Sequence, residues 1–343
     1  MKKGRKRIIN KISKNKKSQI KKIIKIKFKK VTKTKHFSYY KKLIKIFTVF
    51  IFSLLAFYLI FKFRSNKSID ISNNTSTKVG LCIICKTENL YIQEFIDHYR
   101  NLGYNHIFIY DNNDVDGERL EDVIQKEIDK GFVSIINYRG DKQRPIFRVY
   151  IDCYEKNNKD YDWLSFFDID EFLELKPKGI KIQEFLNNER YKNCQNVKFN
   201  WVLYSDDDKL HYENKPVQER ITTPLFNNEL NNHVKTTVRG NLSTNYWKGT
   251  WNPHSGVNHY ICCGSSGKKI SSISPWNKPY DYSFGYIKHY RTKTIEEYLN
   301  KMKKGKPDAN MNYDYMVKMF FLTNKKTKEK MDIFKKEFNI SYT

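Results

Sequence analysis

The sequence predicts an α/β domain built on a mostly parallel sheet flanked by helices, preceded by one N-terminal transmembrane helix. Three observations carry this reading. From Lys78 to Phe167, apolar runs of strand length alternate with segments of helical period. Strands alternating with helices at that spacing imply parallel pairing through crossover connections. Ile46 to Phe61 contains no charged residue, and the 45 residues before it hold 20 Lys or Arg and no Asp or Glu.

The basic segment comes first. The chain has 343 residues and a formal net charge of +27, a value that suggests nucleic-acid binding when read as a total. Residues 1–45 account for +20 of it, which leaves +7 for the rest. The excess is a local tail, so a nucleic-acid partner is not expected. The apolar run that follows spans about 24 Å as a helix, at about 1.5 Å per residue. That is slightly short for a hydrocarbon core of about 30 Å. Lys45 and Lys62 flank it and can snorkel, which sets the expected membrane segment at 46–62. A cleaved signal peptide fits poorly, because the basic region is too long and no small-residue cleavage site follows. The positive side stays in the cytosol, which predicts a single-pass type II protein with a lumenal (Golgi- or ER-like) or extracytoplasmic domain. Residues 63–77 are polar and read as a stem.

The domain at 78–343 then unfolds in order. Val79 to Cys85 is a continuous apolar run, as in a strand buried on both faces. Ile92, Phe95, Ile96, Tyr99 and Leu102 recur at helical spacing, with Gly103 as the stop. Ile107 to Tyr110 is a second strand. Leu120 to Ile128 is a second helix, closed by Gly131. Phe132 to Ile136 is a third strand, Pro145 opens a third helix, and Trp163 to Phe167 is a fourth strand. Beyond Glu174 the pattern weakens. Asn196 to Leu203, Val217 to Thr223, His233 to Val238 and Val257 to Cys263 read as shorter strands, and 294–304 and 312–338 as helical.

Six cysteines, at 82, 85, 153, 194, 262 and 263, allow disulfides in a lumenal domain without fixing their pairing. Cys82 and Cys85 have CxxC spacing inside a strand pattern with no second CxxC, so buried thiols are expected there rather than zinc or redox chemistry. Sequons at Asn66, Asn73, Asn74, Asn241 and Asn339 carry little weight in an Asn-rich chain.

Ligands of open α/β sheets bind beyond the carboxyl ends of the strands. Three polar clusters fall there: Lys86-Thr87-Glu88-Asn89, Asp111-Asn112-Asn113-Asp114 and Asp168-Ile169-Asp170-Glu171. If the fourth strand runs through Asp168 and Asp170, both carboxylates point one way. Such a pair can hold a hard divalent cation, Mn²⁺ or Mg²⁺, together with substrate phosphates. The cation would neutralise a nucleoside-diphosphate leaving group. The competing reading is a helix N-cap at Asp170. Asp111 could accept from the N–H of a uracil base, or make an Asx turn. Glu88 could meet base or ribose, and Lys86 lies beside it. His289 could return to the metal as a third ligand, or be a satisfied core histidine. Lys235 and His254 could line the donor or acceptor pocket. Trp247 and Trp251 could stack on sugars, though Trp more often packs in cores.

These residues, in this order, resemble glycosyltransferase family 92 and the neighbouring family-2-like enzymes of GT-A fold. The matching pieces are Lys86-Thr87-Glu88-Asn89, His106 to Asn113, Arg144 to Tyr154, Trp163 to Phe172, His233-Val234-Lys235-Thr236, Lys288-His289-Tyr290, Thr294 to Tyr298, and Lys301. The resemblance runs from about 79 to 304, and its most specific element is the D-x-D-E-F run. It implies a GT-A fold, a UDP-sugar donor (UDP-galactose in animal members), Mn²⁺, a glycan or glycoprotein acceptor, and inversion at the anomeric carbon. The stretch after Trp201, Val202 to Asp208, departs from the family's Phe-Gly-Ser pattern, which leaves sugar and acceptor open. Asp206, Asp207, Asp208 and Glu219 are candidates for the base that deprotonates the acceptor, and Asp207 is the choice among them. Two other classes could use the same residues. One is a nucleotidyl- or phosphotransferase at the same carboxylate–metal site. The other is a non-catalytic, membrane-tethered carbohydrate-binding protein.

Overall fold

Leu81, Ile83 and Cys85 alternate with Cys82 and Ile84 along the first strand, and the two sets join different apolar clusters, as a period of two requires. That strand, β1 (Val79–Cys85), is the centre of a parallel half-sheet. The computed structural model describes residues 77–140, 146–246, 253–254, 259–304 and 313–338, together with Lys21. The basic tail apart from Lys21, the segment at 46–62, all but the last residue of the stem, Pro145, Trp247 and Trp251 lie outside the described residues. Among the described residues no helix is long and apolar enough to cross a membrane.

β2 (His106–Asp111) and β3 (Val133–Asn137) extend the sheet on one side of β1, and β4 (Trp163–Phe166) on the other, all parallel. The connections are α1 (Ile92–Leu102), α2 (Glu121–Asp129) and α3 (Ile146–Asn157). α1 buries Ile92, Phe95, Ile96 and Tyr99, which cluster with Leu81 and Ile83. Each such side chain contributes about 1.5–3 kcal/mol when fully buried. Gly103 closes the helix at φ +98°, a left-handed conformation that glycine adopts without Cβ strain. α3 covers the opposite face, where Tyr150, Cys153 and Tyr154 meet Cys82 and Phe166. A disulfide between Cys82 and Cys153 fastens α3 to β1, and a second joins Cys194 to Cys263. Cys85 and Cys262 are buried and take part in neither.

The second half departs from the expected parallel pattern. β5 (Glu171–Leu175) follows β4 after only four residues, too few for a parallel crossover. It lies instead at the far edge of the sheet. The helix α4 (Ile182–Leu186) leads to β6 (Asn196–Leu203). Val217 to Thr223, expected as a strand, forms the helical turn α5 (Val217–Arg220). Pro216 presets its entry, and Glu94 accepts the Val217 N–H at 2.7 Å. β7 (Val234–Arg239) runs antiparallel to both β4 and β6. β8 (Cys262–Cys263) and β9 (Lys269–Ile270) are short additions beside β6. β10 (Gly285–His289) is parallel to β6 and antiparallel to β5. The sheet order is β3-β2-β1-β4-β7-β6-β10-β5, so the fold is mixed α/β. Three helices close the chain: α6 (Ile295–Lys304), α7 (Tyr313–Phe321) and α8 (Lys328–Phe338). They share a cluster of Ile295, Tyr298, Val317, Phe320 and Phe334. The expected continuous helix at 312–338 is therefore two, separated where the Asn324 side chain turns back to the Phe320 carbonyl.

Candidate active site

β4 ends at Phe166, and residues 167–170 make a turn. The Glu171 N–H donates to the Asp168 carbonyl at 3.0 Å, and the Asp168 N–H donates to the Glu171 carboxylate at 2.9 Å. The two aspartates are therefore not alternate residues of one strand, as expected; the turn aims them at different partners. The N-cap reading fails too, because a strand follows Asp170 and not a helix.

Strand register brings the partners in. β7 pairs Thr236 with Phe166, so Lys235 falls beside the turn. Its ammonium lies 2.6 Å from Asp168 Oδ2 and 3.4 Å from Glu171 Oε2. Tyr150, from α3, donates to Asp168 Oδ1 at 3.1 Å. β10 pairs His289 with Glu171, which sets His289 Nε2 3.5 Å from Asp170 Oδ1. Lys301, from α6, reaches Asp170 Oδ2 at 2.8 Å.

Burial alone would push the Asp168 carboxyl up, but Lys235 holds it below the ordinary carboxylate range. Asp170 also resists burial and sits well below that range, held by Lys301 and then His289. Glu171 has the weaker share of Lys235, so burial wins and drives its carboxyl well above the usual value. Burial also lowers the His289 imidazole despite Asp170. His289 Nδ1 and Glu171 Oε1 are buried and have no hydrogen-bond partner among the described residues.

Two clefts lie near this turn; none of residues 167–171 lines either, and they meet the turn through Lys301 on one side and through Trp201, packed on His289, on the other. One, of about 320 Å³, is lined by Arg291, Lys293, Lys301 and Lys303 and by the carboxylates of Glu88, Glu118 and Glu297 among others, and is basic by one charge. The other, of about 380 Å³, is lined by Trp201, His233, His254, Trp276, Arg291 and Tyr315 among others, and is aromatic. Arg291 lines both. Lys301 belongs to the basic cleft and pairs with Asp170; the Trp201 ring lies 4.3 Å from the His289 ring on the aromatic side.

The expected site residues divide accordingly. Asp168, Asp170, Lys235 and His289 come together, Glu88 lines the basic cleft, and His254 lines the aromatic one. Lys86 instead pairs with Asp114 at 3.1 Å and lines neither of these clefts. Asp111 is buried with both oxygens engaged, Oδ2 by Arg139 at 2.7 Å and Oδ1 by the Asn113 backbone and side chain. Asp111 makes the Asx turn and an ion pair with Arg139, and lines neither of these clefts. Asp207 is held in its loop. Its carboxylate accepts from Ser205, from the Thr222 N–H and hydroxyl, and from the Thr223 N–H. It lines neither of these clefts, and those bonds hold its carboxyl below the ordinary range against burial, which makes it a poor proton acceptor. Arg291, Lys293 and Trp276 were not singled out. Arg291 and Lys293 were detectable as the basic run Lys288-His289-Tyr290-Arg291-Thr292-Lys293, but Trp276 carries no local signal.

Among the described residues no group of three or more His, Cys, Asp or Glu stands ready as a metal cluster. The donor chemistry nonetheless fits Mn²⁺ or Mg²⁺. Such ions are commonly held by one or two carboxylates, with substrate phosphates and water completing the shell. The Asp168 side chain is 43% exposed, which leaves it accessible.

The model for glycosyltransferase family 92 matches residues 78–340, and the chain belongs to that family. A glycosyltransferase family 92 protein of Oryza sativa subsp. japonica is 27% identical over 112 residues, which are 33% of this chain and 18% of that protein. One of Ricinus communis is 26% identical over 109 residues, 32% of this chain and 19% of that protein. The matched stretches thus span less than one fifth of those relatives. Among solved structures, Staphylococcus aureus TarS (residues 1–349) aligns with TM-score 0.33 and 8% identity over 72% of this chain and 70% of that one. A mannosyltransferase of Pyrobaculum calidifontis, in complex with GDP-Man and Mn²⁺, aligns with TM-score 0.26 and 11% identity over 42% of each chain. Likenesses at these scores say nothing of this chain's chemistry.

Proposed function

We propose that this chain transfers a hexose from a UDP-sugar to a glycan or glycoprotein acceptor, with inversion, on a GT-A fold. One observation carries the reading: Asp170 pairs with Lys301, which lines one cleft, and with His289, which packs on Trp201 of the other, and the two clefts share Arg291. The basic cleft suits the donor diphosphate, with Lys301, Lys293 and Arg291 meeting its charge and Glu88 near the nucleoside. The parallel order β3-β2-β1-β4, with the turn at a strand's carboxyl end, supports the GT-A assignment.

Asp168 and Asp170 would hold Mn²⁺ or Mg²⁺, which when bound neutralises charge developing on the leaving diphosphate. The chain's own part is positional. Tyr150 and Lys235 fix one Asp168 oxygen each, and His289 and Lys301 flank Asp170. Lys301 can pass from Asp170 to a phosphate oxygen when the donor arrives. The acceptor hydroxyl then attacks the anomeric carbon from the aromatic side; the anomeric C–O bond to the diphosphate breaks, the diphosphate leaves with its electron pair, and the hydroxyl proton passes to water in the open cleft.

The two disulfides suit an oxidising compartment, in keeping with a type II protein anchored by 46–62 with its domain lumenal or extracytoplasmic. The test uses the full chain in detergent with a panel of UDP- and GDP-sugars and Mn²⁺. Release of UDP supports the reading; release of pyrophosphate points to a nucleotidyltransferase. Unchanged turnover in the Asp168→Ala, Asp170→Ala double variant sinks it.

A further inference from the structure

The aromatic cleft is a built surface. The Trp201 and His233 rings stack at 4.8 Å, with 12° between their planes. His254 stands edge-on to Trp201 at 5.3 Å. The Trp276 indole N–H donates to His233 Nε2 at 3.3 Å, and His233 Nδ1 faces the Leu230 carbonyl at 3.0 Å. Those two bonds fix one imidazole tautomer, with its proton on Nδ1, and through it the attitude of the Trp276 ring. Yet Trp276 is 55% exposed, an indole face held open at the cleft mouth. The indole is thus held in place by its edge while its face stays open to a ligand.

Ligand chemistry follows from the lining. No carboxylate lines this cleft among the described residues, and its one cation, Arg291, also lines the basic cleft. Arg291 is thus accounted for by the donor diphosphate, and the remaining surface is neutral. Apolar ring faces beside neutral hydrogen-bonding edges match a pyranose, which presents a patch of C–H bonds on one face and hydroxyls around its rim. A peptide acceptor would find no such match to its backbone donors. Trp201 of this cleft also packs on His289, which pairs with Asp170.

We infer that the cleft of Trp201, His233 and Trp276 is a saccharide subsite, in which an uncharged pyranose stacks on Trp276. This rests on the transfer reading above in giving Arg291 to the donor diphosphate and in taking that sugar to be the acceptor. His233 acts as a positioning residue that orients Trp276.

The test is saturation-transfer NMR on the full chain in detergent, with UDP and Mn²⁺ present. The probes are methyl β-D-galactopyranoside, methyl β-D-glucopyranoside and methyl α-D-mannopyranoside. At least one should receive saturation mainly on the C–H protons of one ring face. Trp276→Ala should weaken its binding by about tenfold or more, with Trp276→Phe recovering part of the loss. The rise in Tm on adding UDP and Mn²⁺ confirms that each variant is folded. No binding of any probe by the unaltered chain, or equal affinity in Trp276→Ala, overturns the inference. Donor hydrolysis by the unaltered chain separates the two claims. Its absence alongside Trp276-dependent binding sinks the transfer reading and leaves the subsite. Its presence without Trp276-dependent binding does the reverse.

Discussion

Asp168-Ile169-Asp170 and Asp206-Asp207-Asp208 spell the same acid-x-acid pattern and follow strands of the same sheet, yet they end in different surroundings. In the first, each aspartate meets a cation from a distant element, Lys235 from β7 or Lys301 from α6, beside open clefts. In the second, Asp206 is sealed with Lys330 of α8, their side chains 1% and 2% exposed and their charges 2.6 Å apart. Asp208 donates its N–H to Asp206 Oδ1, and Lys330 also reaches Asp208 at 2.8 Å. Asp207 and Asp208 both have φ near +50°, a left-handed loop conformation that Asp tolerates. The second triplet is an anchor that ties the loop after β6 to the C-terminal helix. What separates the two is which strands flank them, and the spelling says nothing of that.

The largest expected effect breaks the pair apart on function. Asp168→Ala with Asp170→Ala should lower transfer by about 10³-fold, which is ~4 kcal/mol of transition-state stabilisation. Circular dichroism should stay native. Next comes Lys330→Met, which leaves the buried Asp206 without its cation. It should cost about 3 kcal/mol of stability, read from the denaturant midpoint, with the donor KM unchanged. A Lys330→Met variant that kept its stability but lost donor binding would reverse the assignment of the two triplets.

The legibility of the two regions differs for the same reason. The first four strands and their helices are visible because each buries one periodic face, from Ile92 to Tyr99 in α1 for example. Asp168, Asp170, Lys235 and His289 were all visible as candidates, and the fold does bring them together, though Lys235 is an ion-pair partner of Asp168 and lines neither cleft. The geometry of the site was not legible. The 167–170 turn depends on a reciprocal pair of bonds between Asp168 and Glu171, and β5 finds its place only by pairing with β10, more than a hundred residues on. Val217 to Thr223 looked like a strand because Val217 and Ile221 are buried, but Pro216 and the Arg220–Glu297 ion pair impose a helical turn. Trp276 pairs by bridge and hydrogen bond with His233, 43 residues away, a contact no local pattern announces.

Lys301→Gln sharpens the comparison from the basic side. The Lys301 side chain is 42% exposed and bonds Asp170 from the rim of the cleft, unlike the sealed Lys330. Its loss should raise the donor KM by about tenfold, since one charge-assisted phosphate contact is removed. It should also strengthen Mn²⁺ binding in the absence of nucleotide, because a competitor for Asp170 is gone; titration calorimetry measures that directly. If neither changes, Lys301 is an anchor like Lys330.

The smallest expected effect is at Asp207, where a catalytic base and a loop anchor predict different outcomes. Asp207→Asn keeps a side chain suited to the left-handed backbone but gives up an acceptor oxygen and the charge that draws the Thr222 and Thr223 donors. About 1 kcal/mol of stability should be lost at pH 7, with kcat unaltered. A kcat lost in proportion to a missing base would restore the catalytic assignment. The pH dependence adds a second check. Burial pushes the Asp207 carboxyl up, and the bonds from Thr222, Thr223 and Ser205 more than offset it, so its folded pKa lies below its unfolded one. A group shifted in that direction contributes its full stability above the unfolded value of about 3.9 and loses it as pH falls through the folded value. The stability gap between the native chain and Asp207→Asn should therefore hold steady from pH 7 to about pH 5 and narrow on further acidification, because only the native chain has an ionised carboxylate to lose. A gap that widened in acid would mean that the carboxylate is not what those hydrogen bonds stabilise.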